Sequence, residues 1–177
     1  MRSDDLDRSL PSLLAELAFG VPEGPAYVLN RGDAGLLGSL DRLTPEQASA
    51  SSQGGASVAA HVEHLRYGLS LLNRWAGGED PFADADWAAA WRTTTVDTAE
   101  WADLQARLRQ EVERWHAALR EPRELRGPDL DTAVGSVVHL AYHLGAIRQI
   151  VAALRGPREL IALPVRVVDS VDGWRAA

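Results

Sequence analysis

Ser57-Val58-Ala59-Ala60-His61-Val62-Glu63-His64-Leu65-Arg66-Tyr67-Gly68-Leu69-Ser70-Leu71-Leu72-Asn73-Arg74-Trp75-Ala76 is the stretch on which the fold turns. Val58, Val62, Leu65, Leu69 and Leu72 follow one another at helical intervals of four, three, four and three residues. That spacing lays them on one stripe of an α-helix, the seam of a helical bundle. Gly77-Gly78-Glu79-Asp80-Pro81 closes the helix. It carries His61 and His64, two of the five histidines in the chain.

Working outward, the segments on either side are also helical. Leu6, Leu10, Leu13, Leu14, Leu17 and Ala18 recur at helical spacing between Asp5 and Phe19, with Pro11 as a kink position. Gly20 to Pro25 breaks the pattern, and Leu36, Leu37, Leu40 and Leu43 resume it, so the first helix is predicted to be split. Thr44-Pro45-Glu46-Gln47 reads as a capped helical turn, with proline at the first helical position and Gln three residues after the cap. Downstream, Asp97 and Glu100 start a helix carrying Trp101, Leu104, Leu108, Val112, Trp115 and Leu119. Glu121-Pro122 stops it. Gly127-Pro128, with Asp129 or Asp131, opens a last helix that ends near Gly156-Pro157. No strand alternation, internal repeat or Gly-rich phosphate loop is present. The expectation is an all-α, four-helix bundle in one domain over residues 1–177, with the bundle at about 5–156 and an apolar tail at 157–177. The stretch from Gly78 to Asp97 is too long for a turn between neighbouring antiparallel helices. It is expected to cross the bundle end or cover a pocket.

Composition narrows the function. With 177 residues the chain can bury a core without a metal or disulfide to hold it. A metal would therefore serve chemistry. The absence of cysteine excludes a disulfide framework, a thiolate metal site and a cysteine nucleophile, so any thiol chemistry must use an external thiol. Eighteen basic and 25 acidic residues, net −7, leave no basic stripe for nucleic acid. The N-terminus has no apolar signal region, and no stretch approaches about 20 uninterrupted apolar residues, so a cytoplasmic protein without membrane attachment is expected. Of the six tryptophans, Trp75, Trp87, Trp91, Trp101 and Trp115 read as packing residues rather than ligand-stacking ones.

The chemistry rests on histidine. His139 and His143 stand four apart in the last helix and project from one face, so two imidazoles can reach one ion. Val134, Val137, Ala141, Leu144, Val151 and Leu154 define an apolar arc there, with the two histidines on its flank, at the rim of the core. On the earlier helix His64 flanks the seam while His61 lies near its middle. Position favours His64 as third ligand, with His61 the alternative or a supporting group behind the ligands. His116, Glu63 and Glu111 read as surface residues of their helices. Three neutral imidazoles suit a divalent ion such as zinc or nickel and leave a coordination position open. Such an ion lowers the pKa of a bound water or thiol.

The segment Ser57 to Leu65, a helix opening with Ser and an aliphatic residue and reaching His-Leu, resembles the second-helix signature of the DinB-like superfamily. His139-Leu140-Ala141-Tyr142-His143-Leu144-Gly145-Ala146-Ile147-Arg148 resembles its fourth-helix signature, and Leu36 to Gln47 its first-helix end. The similarity covers roughly residues 5–156. The resemblance implies an up-down-down-up bundle, often a homodimer, with a divalent metal on His64, His139 and His143; His61 is a departure that competes for the place of His64. It also implies a metal-dependent transferase acting on a small-molecule substrate with a low-molecular-weight thiol such as bacillithiol or mycothiol, or a relative of the mycothiol-dependent maleylpyruvate isomerase. Arg148 offers a guanidinium to a carboxylate of such a thiol, an ion pair being its competing role. A metal-dependent hydrolase, for which no acidic general base announces itself, and a non-catalytic metal- or ligand-binding bundle are the alternatives.

Overall fold

Helical periodicity becomes six α-helices in the computed structural model, which describes residues 3–21, 25–51, 54–121 and 127–155. They are α1 (Ser3–Phe19), α2 (Gly35–Leu40), α3 (Pro45–Ser49), α4 (Val58–Ala76), α5 (Thr98–Arg120) and α6 (Pro128–Leu154), with a 3₁₀ turn at Ala89–Trp91. No strand forms among the described residues, and the protein is all-α. The apolar tail expected at 157–177 lies outside them.

The capping residues act as their chemistry dictates. Thr44 accepts from the backbone N–H of Gln47 while the Gln47 side chain accepts from that of Thr44, and Asp97 and Glu100 form the same reciprocal pair at the start of α5. Ser57 caps α4 by accepting from Ala60. At α6 the cap is Gly127, with φ +53°, while Asp129 and Asp131 lie in the first turn, where their charge complements the helix dipole.

α1 runs unbroken through Pro11, and the second apolar run forms α2, a separate short helix folded back against α1. Two glycines allow this reversal. Gly20 has φ +88° and Gly35 φ +66°, and a Cβ on Gly20 would lie 2.1 Å from the Asp33 carbonyl oxygen. From α1 the buried carboxylate of Glu16 accepts from the backbone N–H groups of Tyr27, Val28 and Leu29, which lie between the two glycines. Burial pushes its pKa up, and the three N–H donors more than reverse this, holding it below the usual range.

α4 packs on α5 and α6, and α1 packs on the same two helices. Contacts orient three of them. Ser57 donates to the carbonyl of Thr94 and Asn73 to that of Glu111, so α4 and α5 run alongside in one direction. His61 meets His143 and His64 meets His139, so α6 runs the other way. Leu14, Leu17, Leu36, Leu65, Leu104, Leu108, Leu140 and Ile147 are fully buried between them, each contributing about 1.5–3 kcal/mol by leaving water. Buried indoles are satisfied: Trp101 donates to the Leu43 carbonyl at 3.1 Å, and Trp115 to Ser136 Oγ at 2.9 Å.

α6 departs from expectation twice. By length and composition it is apolar enough to cross a membrane, with mean hydropathy 1.3 over its most apolar window. One side of that apolarity goes into the bundle core. The buried face is Ala133, Ser136, Val137, Leu140, His143, Leu144, Ile147 and Ile150, whereas Val134 and Leu154, expected inside, are 38% and 40% exposed. A helix apolar almost all round carries no clear moment, so periodicity misplaced its inner face.

Candidate metal centre

Antiparallel α4 and α6 bring four imidazoles together. His64 Nε2 lies 3.1 Å from His139 Nε2, which lies 2.9 Å from His143 Nε2. One ligand atom from each of these three fits within 4.8 Å of the others, a grouping able to hold a metal ion. An ion bound tetrahedrally at about 2.0–2.1 Å sets its nitrogens about 3.3 Å apart, so the spacing needs only small rotations of the rings. His61 stands behind this group. Its Nδ1 is 2.8 Å from His143 Nδ1, the nitrogen on the far side of that ring. When His143 presents its Nε2 lone pair to the centre, its Nδ1 carries the proton and donates it to His61, which fixes tautomer and ring together.

Burial reverses two expectations. His143 is 2% exposed and sits in the middle of the inner face of α6, not on its flank. On α4 His64 is buried and His61 only half-buried, the opposite of their placing on the seam, because the crossover adds a wall that helix periodicity does not register.

That wall is residues 77–97. Asp86 N–H donates to the Tyr67 hydroxyl, Ser57 to the Thr94 carbonyl, and Val96 N–H to Ser49 Oγ. So pinned, the loop seats Trp91 over the histidines, stacked on His64 at 4.2 Å and 23°, and edge-on to His61 at 5.3 Å. Trp87 lies 5.9 Å from His64 and edge-on to Tyr67. The packing assignment fits Trp75, Trp101 and Trp115; Trp87 and Trp91 belong to the site. The length of the crossover was the one signal for them.

The electrostatics favour neutral imidazoles. Burial, then the neighbouring His139 and His61, lowers the pKa of His64 to about 4. Burial, then His139, His64 and His61, lowers His143 to about 3, and burial alone lowers His61 and His139. At neutral pH every ring keeps a lone pair, the form a metal requires. His64 Nδ1 is buried with no hydrogen-bond partner among the described residues, a cost of about 1–3 kcal/mol. Stacking on Trp91 covers the ring without satisfying that nitrogen.

Other candidates lie elsewhere. His116 packs edge-on against Phe19. Glu63 and Glu111 are not solvated charges: Glu63 is clasped by Arg66 at 2.7 Å, and Glu111 accepts from Asn73 at 2.7 Å, both side chains about 15% exposed. Arg148 donates to Asp33 at 2.6 Å and lines a separate cavity with Arg42 and Arg155, away from the histidines.

An apolar cleft of about 440 Å³ opens on His64 and His139. A family model described as the DinB superfamily matches residues 29–147, more than half of the chain. The match spans all four clustered histidines, begins after α1 and stops one residue before Arg148. Comparison with curated proteins and with solved structures yields no match.

Proposed function

The chain belongs to the DinB superfamily, and we propose that it binds one divalent metal ion through the Nε2 atoms of His64, His139 and His143 and uses it to activate an exogenous low-molecular-weight thiol for transfer to a small electrophile. The observation that carries this reading is the convergence of three buried or half-buried imidazole nitrogens at 2.9 and 3.1 Å beside an open cleft. A bound zinc or nickel ion supplies Lewis acidity that lowers the pKa of a coordinated thiol toward neutrality.

The residues of the chain do the rest. His61, hydrogen-bonded to the rear nitrogen of His143, holds that ring in register. Trp91 excludes water from one face of the cluster by stacking on His64. The absence of cysteine means the sulfur must arrive with the co-substrate. Its S–H proton leaves to solvent, its electron pair forms the bond to carbon, and the leaving group departs with the electrons of the bond it gives up. No carboxylate lines the cleft among the described residues, which favours thiol transfer over hydrolysis through an acidic general base.

The test is turnover by untagged, metal-loaded protein given a thiol and an electrophile, then ester and amide substrates. Thiol-dependent product lost in His139→Ala supports the proposal. Ester or amide cleavage without thiol favours the hydrolase, and no turnover in any assay favours the binding protein.

A further inference from the structure

The cleft beside the histidines has a composition that selects its occupant. Leu65, Leu69 and Leu72 of α4 form one wall, and Phe82 and Trp87 of the crossover form another. These two aromatics line the cleft and remain 37% and 42% exposed, more than large rings usually are in a packed protein. The helix backbone is bare at Gly68, where a Cβ would lie 3.7 Å from Trp87 and 4.0 Å from His139. Glycine there widens the floor of the cleft between the imidazoles and the indole.

Its polar groups are few and already committed. Thr132 Oγ1 donates to the Pro128 carbonyl at 2.8 Å, and Ser136 Oγ donates to the Ala133 carbonyl at 2.6 Å while accepting from Trp115. Apart from the imidazoles of His64 and His139, no titratable side chain lines the cleft among the described residues. An anion entering it would lose its hydration with no cationic side chain or free hydroxyl proton among the described residues to replace it. An uncharged aromatic or aliphatic molecule would instead leave water for apolar walls and stack on Phe82 and Trp87.

We infer that the molecule bound beside the histidines, the electrophile of the proposed transfer, is an uncharged, apolar compound with an aromatic or extended aliphatic body, and that the side chains of the cleft disfavour a carboxylate. This rests on the metal reading for the word electrophile. The selectivity of the cleft does not.

The test compares 1-naphthylmethanol with 1-naphthoate, one ring system without and with charge, by titration calorimetry at pH 7.5. Both the protein as purified and the chelator-treated protein are titrated, the latter so that the carboxylate cannot gain from a metal. The alcohol is expected to bind the chelator-treated protein at least tenfold more tightly than the carboxylate. Gly68→Leu, which fills the cleft from its floor, is expected to weaken the alcohol at least tenfold. Thr132→Arg, which sets a cation at the rim, is expected to shift the preference toward naphthoate at least fivefold. Equal or tighter binding of naphthoate by the chelator-treated wild type overturns the inference, as does unchanged alcohol affinity in folded Gly68→Leu. If Gly68→Leu does not fold, an unchanged preference in Thr132→Arg overturns it. Metal content is read separately by elemental analysis, so an empty metal site with intact cleft selectivity marks failure of the metal reading alone.

Discussion

Lowering the pH of metal-free protein from 7.5 to 5.5 is expected to remove about 3 kcal/mol of stability through two side chains. His64 and His143 are 8% and 2% exposed, with pKa values lowered to about 4 and about 3. In the unfolded chain each titrates near 6.5. Below that value the unfolded state takes up protons that the native state refuses, so stability falls as pH drops through 6.5 and continues to fall toward the native values. At pH 5.5 each residue accounts for about 1.4 kcal/mol, one unit of differential protonation. His61, His116 and His139, also lowered chiefly by burial, add in the same direction. Glu16 and Asp33 have lowered carboxyl pKa values, and their contribution is lost only as pH falls below about 4.5. The interval chosen therefore isolates imidazole. Urea unfolding of chelator-treated protein, followed by circular dichroism, reads the change directly; in heating experiments it corresponds to about 6–12 °C in Tm. A midpoint that stays level or rises at pH 5.5 would show solvated imidazoles and refute the buried, neutral cluster.

Four further outcomes are expected. Zinc at about 1,000 times its Kd should raise the unfolding free energy at pH 7.5 by about 4 kcal/mol, measurable by urea titration, and should give no such gain in His139→Ala. Gly68→Ala meets only ordinary contacts at 3.7 and 4.0 Å and should stabilise the protein by up to about 1 kcal/mol through helix propensity, visible as a higher urea midpoint. Gly20→Ala sets a Cβ 2.1 Å from a carbonyl oxygen at φ +88° and should cost about 3 kcal/mol or more, read in the same assay. Val138 is 61% exposed on α6, so Val138→Glu should change the unfolding free energy by no more than about 0.5 kcal/mol, read by urea titration.

Most of the helical architecture could be read from side-chain spacing, because α4 and α5 each have one apolar face and punctuated ends. Leu104, Leu108, Val112, Trp115 and Leu119 are buried as their spacing demands, and the caps at Thr44, Ser57 and Asp97 sit where short polar side chains precede helices. α6 resisted this reading. Its residues are apolar on several sides, so nothing local distinguishes Val134, which faces out, from Val137, which faces in. The same ambiguity hid His143 at the centre of the inner face. On α4 the relative burial of His61 and His64 depends on Trp87 and Trp91, which reach them from a connection with little regular structure. The return of the chain after α1 also turns on tertiary contact, since only the crossing of Gly20 and Gly35 shows why both are glycine.

Elemental analysis of untagged protein, wild type beside His61→Ala, His64→Ala, His139→Ala and His143→Ala, tests the histidine centre most directly. The account expects one divalent ion per chain in the wild type and none in the variants at 64, 139 and 143. His61→Ala should keep the site with affinity weakened about 10- to 100-fold, as loss of a supporting hydrogen bond does. Metal retained at full occupancy in His64→Ala, or abolished in His61→Ala alone, would contradict it.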